Sequence, residues 1–161
     1  MPPASHRLTL HLLPTDPDRP GAVVLELLER LRAAGMVVGD GPGPVPMVDG
    51  GFARAVASVF DGPRFVSNWQ GGFSVRCPVT GDLVTAAFNP AFEAWRAGGQ
   101  RRLACPCGRD HDLAELDYRP PAGFTHGWLA LVDVASADLT PDAHALAEQV
   151  LGGVRVVGRR G

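Results

Sequence analysis

The amino-acid sequence predicts an α+β protein in which a small insert interrupts a helix-backed sheet, and three observations carry that reading. Leu8, Leu10 and Leu12 alternate with Arg7, Thr9 and His11 near the start, the two-residue period of a half-buried strand. Trp128 to Val132 is apolar on both faces and precedes a capped helix and a last strand, as expected of a strand in mid-sheet. Between these ends stand two Cys-Pro turns, Cys77-Pro78 and Cys105-Pro106, each closed by a glycine.

The first strand covers Arg7 to Leu13. A Pro14 to Pro20 loop follows, with Asp18 as cap and Pro20 in the first turn of a helix that reaches Ala34 and stops at Gly35; cap, early proline and closing glycine are ordinary helix punctuation. Val24, Leu27, Leu28 and Leu31 make its buried stripe, while Glu26, Glu29, Arg30 and Arg32 face water. Gly39 to Gly51 is too rich in Gly and Pro to be anything but a connection. Asp49 is then read as the cap of a short helix with Phe52, Val56, Val59 and Phe60 on one face, ended by Asp61-Gly62-Pro63. At the far end Gly127 to Val134 is the mid-sheet strand. Thr140-Pro141 caps a helix with the stripe Leu139, Ala143, Leu146, Ala147 and Val150, Gly152-Gly153 ends it, and Val154 to Val157 is the closing strand. A strand-helix start and a strand-helix-strand finish, joined by right-handed crossovers, make a ferredoxin-like split sheet from residues 1–64 and 120–161. Residues 65–119 are then the insert.

A length of 161 residues and a mass of 17.0 kDa suit one compact domain or a small domain with an insert. No apolar run approaches membrane-spanning length, so no membrane contact is expected. All 15 basic residues are arginine. Without lysine there is no P-loop of the GxxxxGK[ST] type, no Schiff-base or pyridoxal-phosphate chemistry and no kinase strand lysine, and no nucleotide is expected as a partner. A net charge of −2 and a pI near 6.2 also lack the basic balance of a duplex-binding domain. Three cysteines, an odd number, make no disulfide framework, and Met1-Pro-Pro-Ala lacks the basic start and apolar stretch of a signal peptide. The expected location is therefore the cytoplasm, where neighbouring thiols serve as metal ligands or inert core residues.

The insert holds the one motif with chemistry in it. Phe73-Ser-Val-Arg-Cys77-Pro-Val-Thr80-Gly81 reads as a strand entering a tight turn, with Leu83 to Ala87 as a second strand. Arg102-Leu-Ala-Cys105-Pro-Cys107-Gly108 repeats the arrangement, with His111 to Leu116 as the return strand, and Asn89-Pro90 caps a short helix containing Phe92 and Trp95 and ending at Gly98-Gly99. Two hairpins with Cys-Pro at their tips form a zinc-ribbon-like pair, in which each CPxCG knuckle aims its thiolates at one metal. Here Thr80 stands where the first knuckle has its second cysteine, and Cys105-Pro-Cys107 is one residue short. His111, four residues after Cys107, completes a Cys₃His set of Cys77, Cys105, Cys107 and His111 for a zinc ion. Asp82 or Asp110 are alternatives to the histidine. The competing reading is a ribbon that has lost its metal, its hairpins held by Phe73, Val75, Leu103, Leu113 and Leu116.

These knuckles flanking a short helix, followed by Leu116-Asp-Tyr118-Arg119 and Ala122-Gly123-Phe124 and the strand-helix-strand finish, resemble a group of small uncharacterised bacterial proteins with a zinc-ribbon insert. The resemblance spans about residues 65 to 161. Some members of that group bear a label of sugar-transporter ATPase; with no P-loop and no lysine in this chain, that activity is not carried over.

The sequence thus points to a non-enzymatic interaction or scaffold protein whose partner is another protein, with four protein ligands making any zinc structural. A second reading is a small hydrolase or transferase using a thiol or an open metal site at Cys77, Cys105 and Cys107, with His126 as a candidate base. A third is a weak single-stranded nucleic-acid binder using Trp69, Trp95, Arg101, Arg102 and Arg109. His11 and Arg155 are candidates for an open, ligand-binding sheet face, and Asn68-Trp69-Gln70-Gly71-Gly72 is the loop best placed for contact with a partner.

Overall fold

The computed structural model describes residues 8–68 and 73–160; Arg7, the Met1-Pro-Pro-Ala start and Trp69 to Gly72 of the candidate contact loop lie outside the described residues. In chain order the elements are β1 (Leu8–Pro14), α1 (Val23–Ala33), the two-residue β2 (Val37–Val38) and β3 (Gly41–Pro42), β4 (Arg54–Val66), β5 (Ser74–Arg76) and α2 (Thr85–Arg96). There follow β6 (Arg102–Ala104), β7 (Asp110–Asp112), a single 3-10 turn at Leu113–Glu115, β8 (Asp117–Arg119), β9 (Gly123–Val134), α3 (Pro141–Leu151) and β10 (Val154–Arg160). The protein is mixed α+β, with three α-helices and open antiparallel sheets among the described residues. The main sheet has the order β10-β1-β9-β4, antiparallel at every junction.

Leucines set the core. Leu10 and Leu12 of β1 and Leu129 and Leu131 of β9 point to the face on which α1 and α3 lie, and meet Val24, Leu27 and Leu31, then Ala143, Ala147 and Leu151. Each fully buried leucine stabilises by about 2 kcal/mol. Val23 joins the expected α1 stripe, and Leu28 is only half-buried against it. The Thr140 hydroxyl accepts from the Ala143 amide at 3.4 Å, and Gly152 ends α3 in the left-handed region at φ 71°.

Several local expectations are corrected. α1 starts at Val23 because Pro20 and Gly21 form tight turns, with Val23 N–H donating to Pro20 O at 3.2 Å and Val24 N–H to Gly21 O at 3.1 Å. Asp18 caps nothing; its carboxylate accepts instead from Arg101 at 3.2 Å. The helix expected after Asp49 is a strand, β4. Ala55, Ala57 and Val59 pair with Leu131, Leu129 and Gly127 of β9, a two-residue period that the apolar spacing at Phe52, Val56, Val59 and Phe60 masks. Asp61-Gly62-Pro63 does not end the element: the ladder shifts register between Val59 and Arg64, and a sheet-edge strand tolerates proline there. Asn89-Pro90 likewise lies inside α2, which begins at Thr85 and places Phe88 and Phe92 one turn apart and buried. Leu83 makes only an isolated bridge to Arg76, so β5 pairs with β8. The insert therefore contains one hairpin, β6-β7, in place of two.

The other face of the sheet is less covered. Trp128 lies edge-on between His11 and Phe60, with centroids 4.7 and 4.6 Å away. His11 is itself 6% exposed. Burial and then the positive charge of Arg159 push its pKa from 6.5 down to about 4, against a hydrogen bond to the Val157 backbone that works the other way.

Two expected outcomes follow from this architecture. The native state favours neutral His11 while the unfolded chain takes up a proton below 6.5. Stability is therefore full above that pH and falls between 6.5 and about 4, by at most about 3 kcal/mol. Urea titrations at stepped pH should show this slope, reduced in His11→Phe. Gly21 is buried with its Cα facing β9, where a Cβ would collide with the His126 carbonyl and reach the Val59 side chain. Gly21→Ala should lower unfolding stability by about 2 kcal/mol, read as a lower urea midpoint at unchanged m-value.

Candidate metal centre

The insert has its own core. Val75, Phe88, Phe92, Leu103, Leu113, Leu116 and Tyr118 pack with Phe124 of β9, and Phe73 lies half-buried against them. The residues expected to hold the hairpins together therefore do pack together. Tyr118 donates its hydroxyl to the Leu113 carbonyl at 2.6 Å, and burial pushes its pKa far up, keeping it a neutral donor.

Two turns bring the thiols to the edge of this core. Cys77 follows β5: its N–H donates to Asp82 O at 2.8 Å, and Gly81, at φ 76°, closes the turn by donating to Cys77 O at 2.9 Å. The Val79 and Thr80 amides then point at Cys77 Sγ from 3.4 and 3.5 Å. The second turn spans the end of the β6-β7 hairpin. Cys105 N–H donates to Arg109 O and Gly108 N–H to Cys105 O, both at 3.0 Å, with Gly108 at φ 91°. His111 stands opposite Leu103 in that hairpin and is buried, while Asp110 on the preceding pleat is exposed.

Cys77, Cys105, Cys107 and His111 meet with all four ligand atoms within 4.8 Å of one another, and this group can hold a metal ion. His111 Nε2 is 3.6 Å from Cys77 Sγ and 3.3 Å from Cys107 Sγ. Cys77, Cys105 and His111 are 2, 8 and 6% exposed, so the centre is closed to bulk water on most sides. Asp82 and Asp110 are not in the group. The imidazole beside the thiols is His111, in place of the His126 considered as a base.

The electrostatics suit a cation. The Thr80 hydroxyl and amide, with the Val79 amide, hold the Cys77 pKa down to about 6 against burial. Cys105 goes the other way: the Cys107 amide lowers its pKa, but burial and the neighbouring thiols of Cys107 and Cys77 raise it further. Three thiols this close cannot all ionise unless a positive charge sits among them. Thr80, which sequence reasoning treated only as a missing ligand, is thus a donor to the thiolate beside it. The signal available was its place two residues before Asp82, whose amide it also accepts at 3.2 Å.

A clamp that the sequence reading missed joins the centre to the loop between β1 and α1. Arg101 donates to both oxygens of Asp112 at 2.7 and 3.0 Å and to Asp18, beside α1, at 3.2 Å. Asp112 also accepts from the Ala114 amide at 2.9 Å, fixing the turn that follows His111. Arg101 is thereby held by carboxylates, and Trp95 packs edge-on to Phe124 at 4.8 Å. On the sheet face, Arg155 donates to Ala122 O at 2.9 Å, a tie between the sheet and the segment beside it.

Compared with known proteins, the chain matches no family model, no curated protein and no solved structure. Among the described residues no helix is long and apolar enough to cross a membrane.

Removing the clamp should loosen the centre without touching a ligand. Arg101→Gln loses charge-assisted bonds to two carboxylates and is expected to cost about 2 kcal/mol. Amide hydrogen exchange should quicken first at Asp110 to Ala114, with the main sheet least affected.

Proposed function

We propose that Cys77, Cys105, Cys107 and His111 hold a structural zinc ion, and that the chain is a non-enzymatic cytoplasmic interaction module whose partner is another protein. The carrying observation is the spacing of the donors. Zinc bonds of about 2.3 Å to sulfur and 2.0–2.1 Å to nitrogen place tetrahedral S···N neighbours about 3.5 Å apart; the separations here are 3.3 and 3.6 Å. Four protein ligands fill a tetrahedron and leave no position for a reacting water. None of four surface cavities of about 630, 440, 400 and 310 Å³ is lined by the cysteines or His111.

The same reading extends to the frame. The succession β1-α1-β4-β9-α3-β10, with spatial order β10-β1-β9-β4, supports a ferredoxin-like sheet. The metal-bound segment would then serve as a zinc-ribbon-like insert in the connection from edge strand β4 to β9. Zinc would fix the loops at Cys77 to Gly81 and Cys105 to Arg109, and with them the surface offered to a partner.

Elemental analysis of untagged protein purified without added metal tests this. One zinc per chain is expected, lost in Cys105→Ser and His111→Gln together with a large drop in melting temperature, and replaceable by cobalt with the intense visible absorption of a tetrahedral thiolate site. Metal-free protein that melts alike with and without a strong chelator would overturn the proposal. Hydrolytic or group-transfer turnover abolished by Cys77→Ser would favour the thiol-enzyme reading, for which the lowered Cys77 pKa is the supporting observation.

A further inference from the structure

Between the end of α2 and the stretch of β4 beyond its register shift lies a cavity of about 630 Å³. Its lining is aromatic, from Phe65, Phe92 and Trp95, with two cations, Arg64 and Arg96, and no carboxylate. The volume is that of a small-molecule site, and a junction between a sheet and an insert is a common place for one. Among the described residues neither cation is held by a buried ion pair, and each lies over an aromatic ring. Arg64 is exposed, lies 4.0 Å over the Phe60 ring and has no carboxylate within 4.0 Å among the described residues. Arg96 pairs with exposed Glu93 at 3.3 Å and lies 5.9 Å from the Phe92 ring centroid, and such an exposed i,i+3 ion pair is weak. A guanidinium offers a planar fork to a phosphate or carboxylate, and aromatic walls offer stacking to a flat ring.

We infer that this cavity binds a planar aromatic anion, its ring against Phe92 and Trp95 and its phosphate or carboxylate on Arg64 and Arg96. The site goes beyond the metal-centre reading and needs no zinc. It also needs neither P-loop nor lysine, so the composition that excludes ATPase chemistry leaves it intact. Two kinds of molecule share this chemistry, a nucleoside monophosphate and an aromatic carboxylate, and the size of the cavity accepts both.

Isothermal titration of the full chain with AMP, adenosine and 1-naphthoate separates the outcomes. At least one of the two anions should bind one site with Kd between about 10 µM and 1 mM, the range that the contact size allows. Tighter AMP marks a nucleotide site and tighter naphthoate an aromatic-acid site. If AMP binds, adenosine should bind about tenfold more weakly or not at all. Arg64→Gln and Arg96→Gln should each weaken the anion about tenfold while melting as the parent does, and Arg30→Gln, exposed on α1, should change nothing. No saturable heat with either anion up to about 5 mM, equal affinity for AMP and adenosine, or affinity unchanged in both Arg64→Gln and Arg96→Gln would overturn the inference.

Discussion

Phe65 and Phe124 stand opposite each other in the β4-β9 ladder, 4.9 Å apart between ring centroids, at the end of the ladder that enters the second core. Towards one end the same two strands place Ala55, Leu129 and Leu131 under the helices; towards the other they hand Phe124 to the aromatic cluster of the insert. Because the insert leaves the sheet at Val66 and returns at Gly123, directly paired residues, its two ends are fixed within one strand spacing. A long excursion anchored this closely adds little closure entropy to folding beyond that of the ladder itself. The thiol cluster is tied to that ladder through Phe65 and Phe124, and separately to the β1-α1 loop through the Arg101 contact to Asp18.

The thiol cluster is poorly stabilised by packing alone. β5, β6, β7 and β8 are three residues each, too short to be stable pairs in isolation. Their aromatic core compensates in part: Phe65, Phe73, Phe88, Phe92, Tyr118 and Phe124 interlock through edge-on and tilted contacts, each worth about 1 kcal/mol beyond burial. What packing does not answer is the charge problem, since the turns aim amides at Cys77 Sγ and so favour a thiolate among thiols. A cation held there would resolve that conflict and would also join β5 to the β6-β7 hairpin, which no backbone ladder does among the described residues.

Legibility in the sequence followed the strength of the local signal. Thr140-Pro141 with Gly152 marked α3 because cap, early proline and left-handed glycine are each determined within a few residues. The alternation of β1 was equally plain. β4 reads as a helix from sequence because its apolar residues fall at both strand and helix spacings, and only the partners Leu129 and Leu131 in β9 decide between them. Asn89-Pro90 looks like a helix start in sequence, whereas the buried pair Phe88 and Phe92 carries α2 through the missing amide of Pro90. The four site residues were legible because cysteine and histidine spacing is a chemical constraint. The role of Thr80 was not, since its hydroxyl acts on the neighbouring Cys77 thiol and binds no metal itself, and the Arg101-Asp112-Asp18 clamp was not, since Asp18 is brought to Arg101 only by the fold.

The departures from ribbon spacing then make structural sense together. A Cys-x-Cys turn places Cys105 and Cys107 in a five-residue loop closed by Gly108, and β7 alternation carries His111 inward while Asp110 faces solvent. The hairpin thus supplies three donors, one more than a two-cysteine knuckle, so the first turn needs only Cys77. Its remaining position is free for Thr80, which spends its hydroxyl on lowering the Cys77 pKa in place of binding a metal directly. A second cysteine there would add a fifth donor and a further negative charge to a centre already crowded with thiols. Compared with a pair of two-cysteine knuckles, the fourth donor of this group therefore stands on the return strand of the second turn, with none beyond Cys77 in the first.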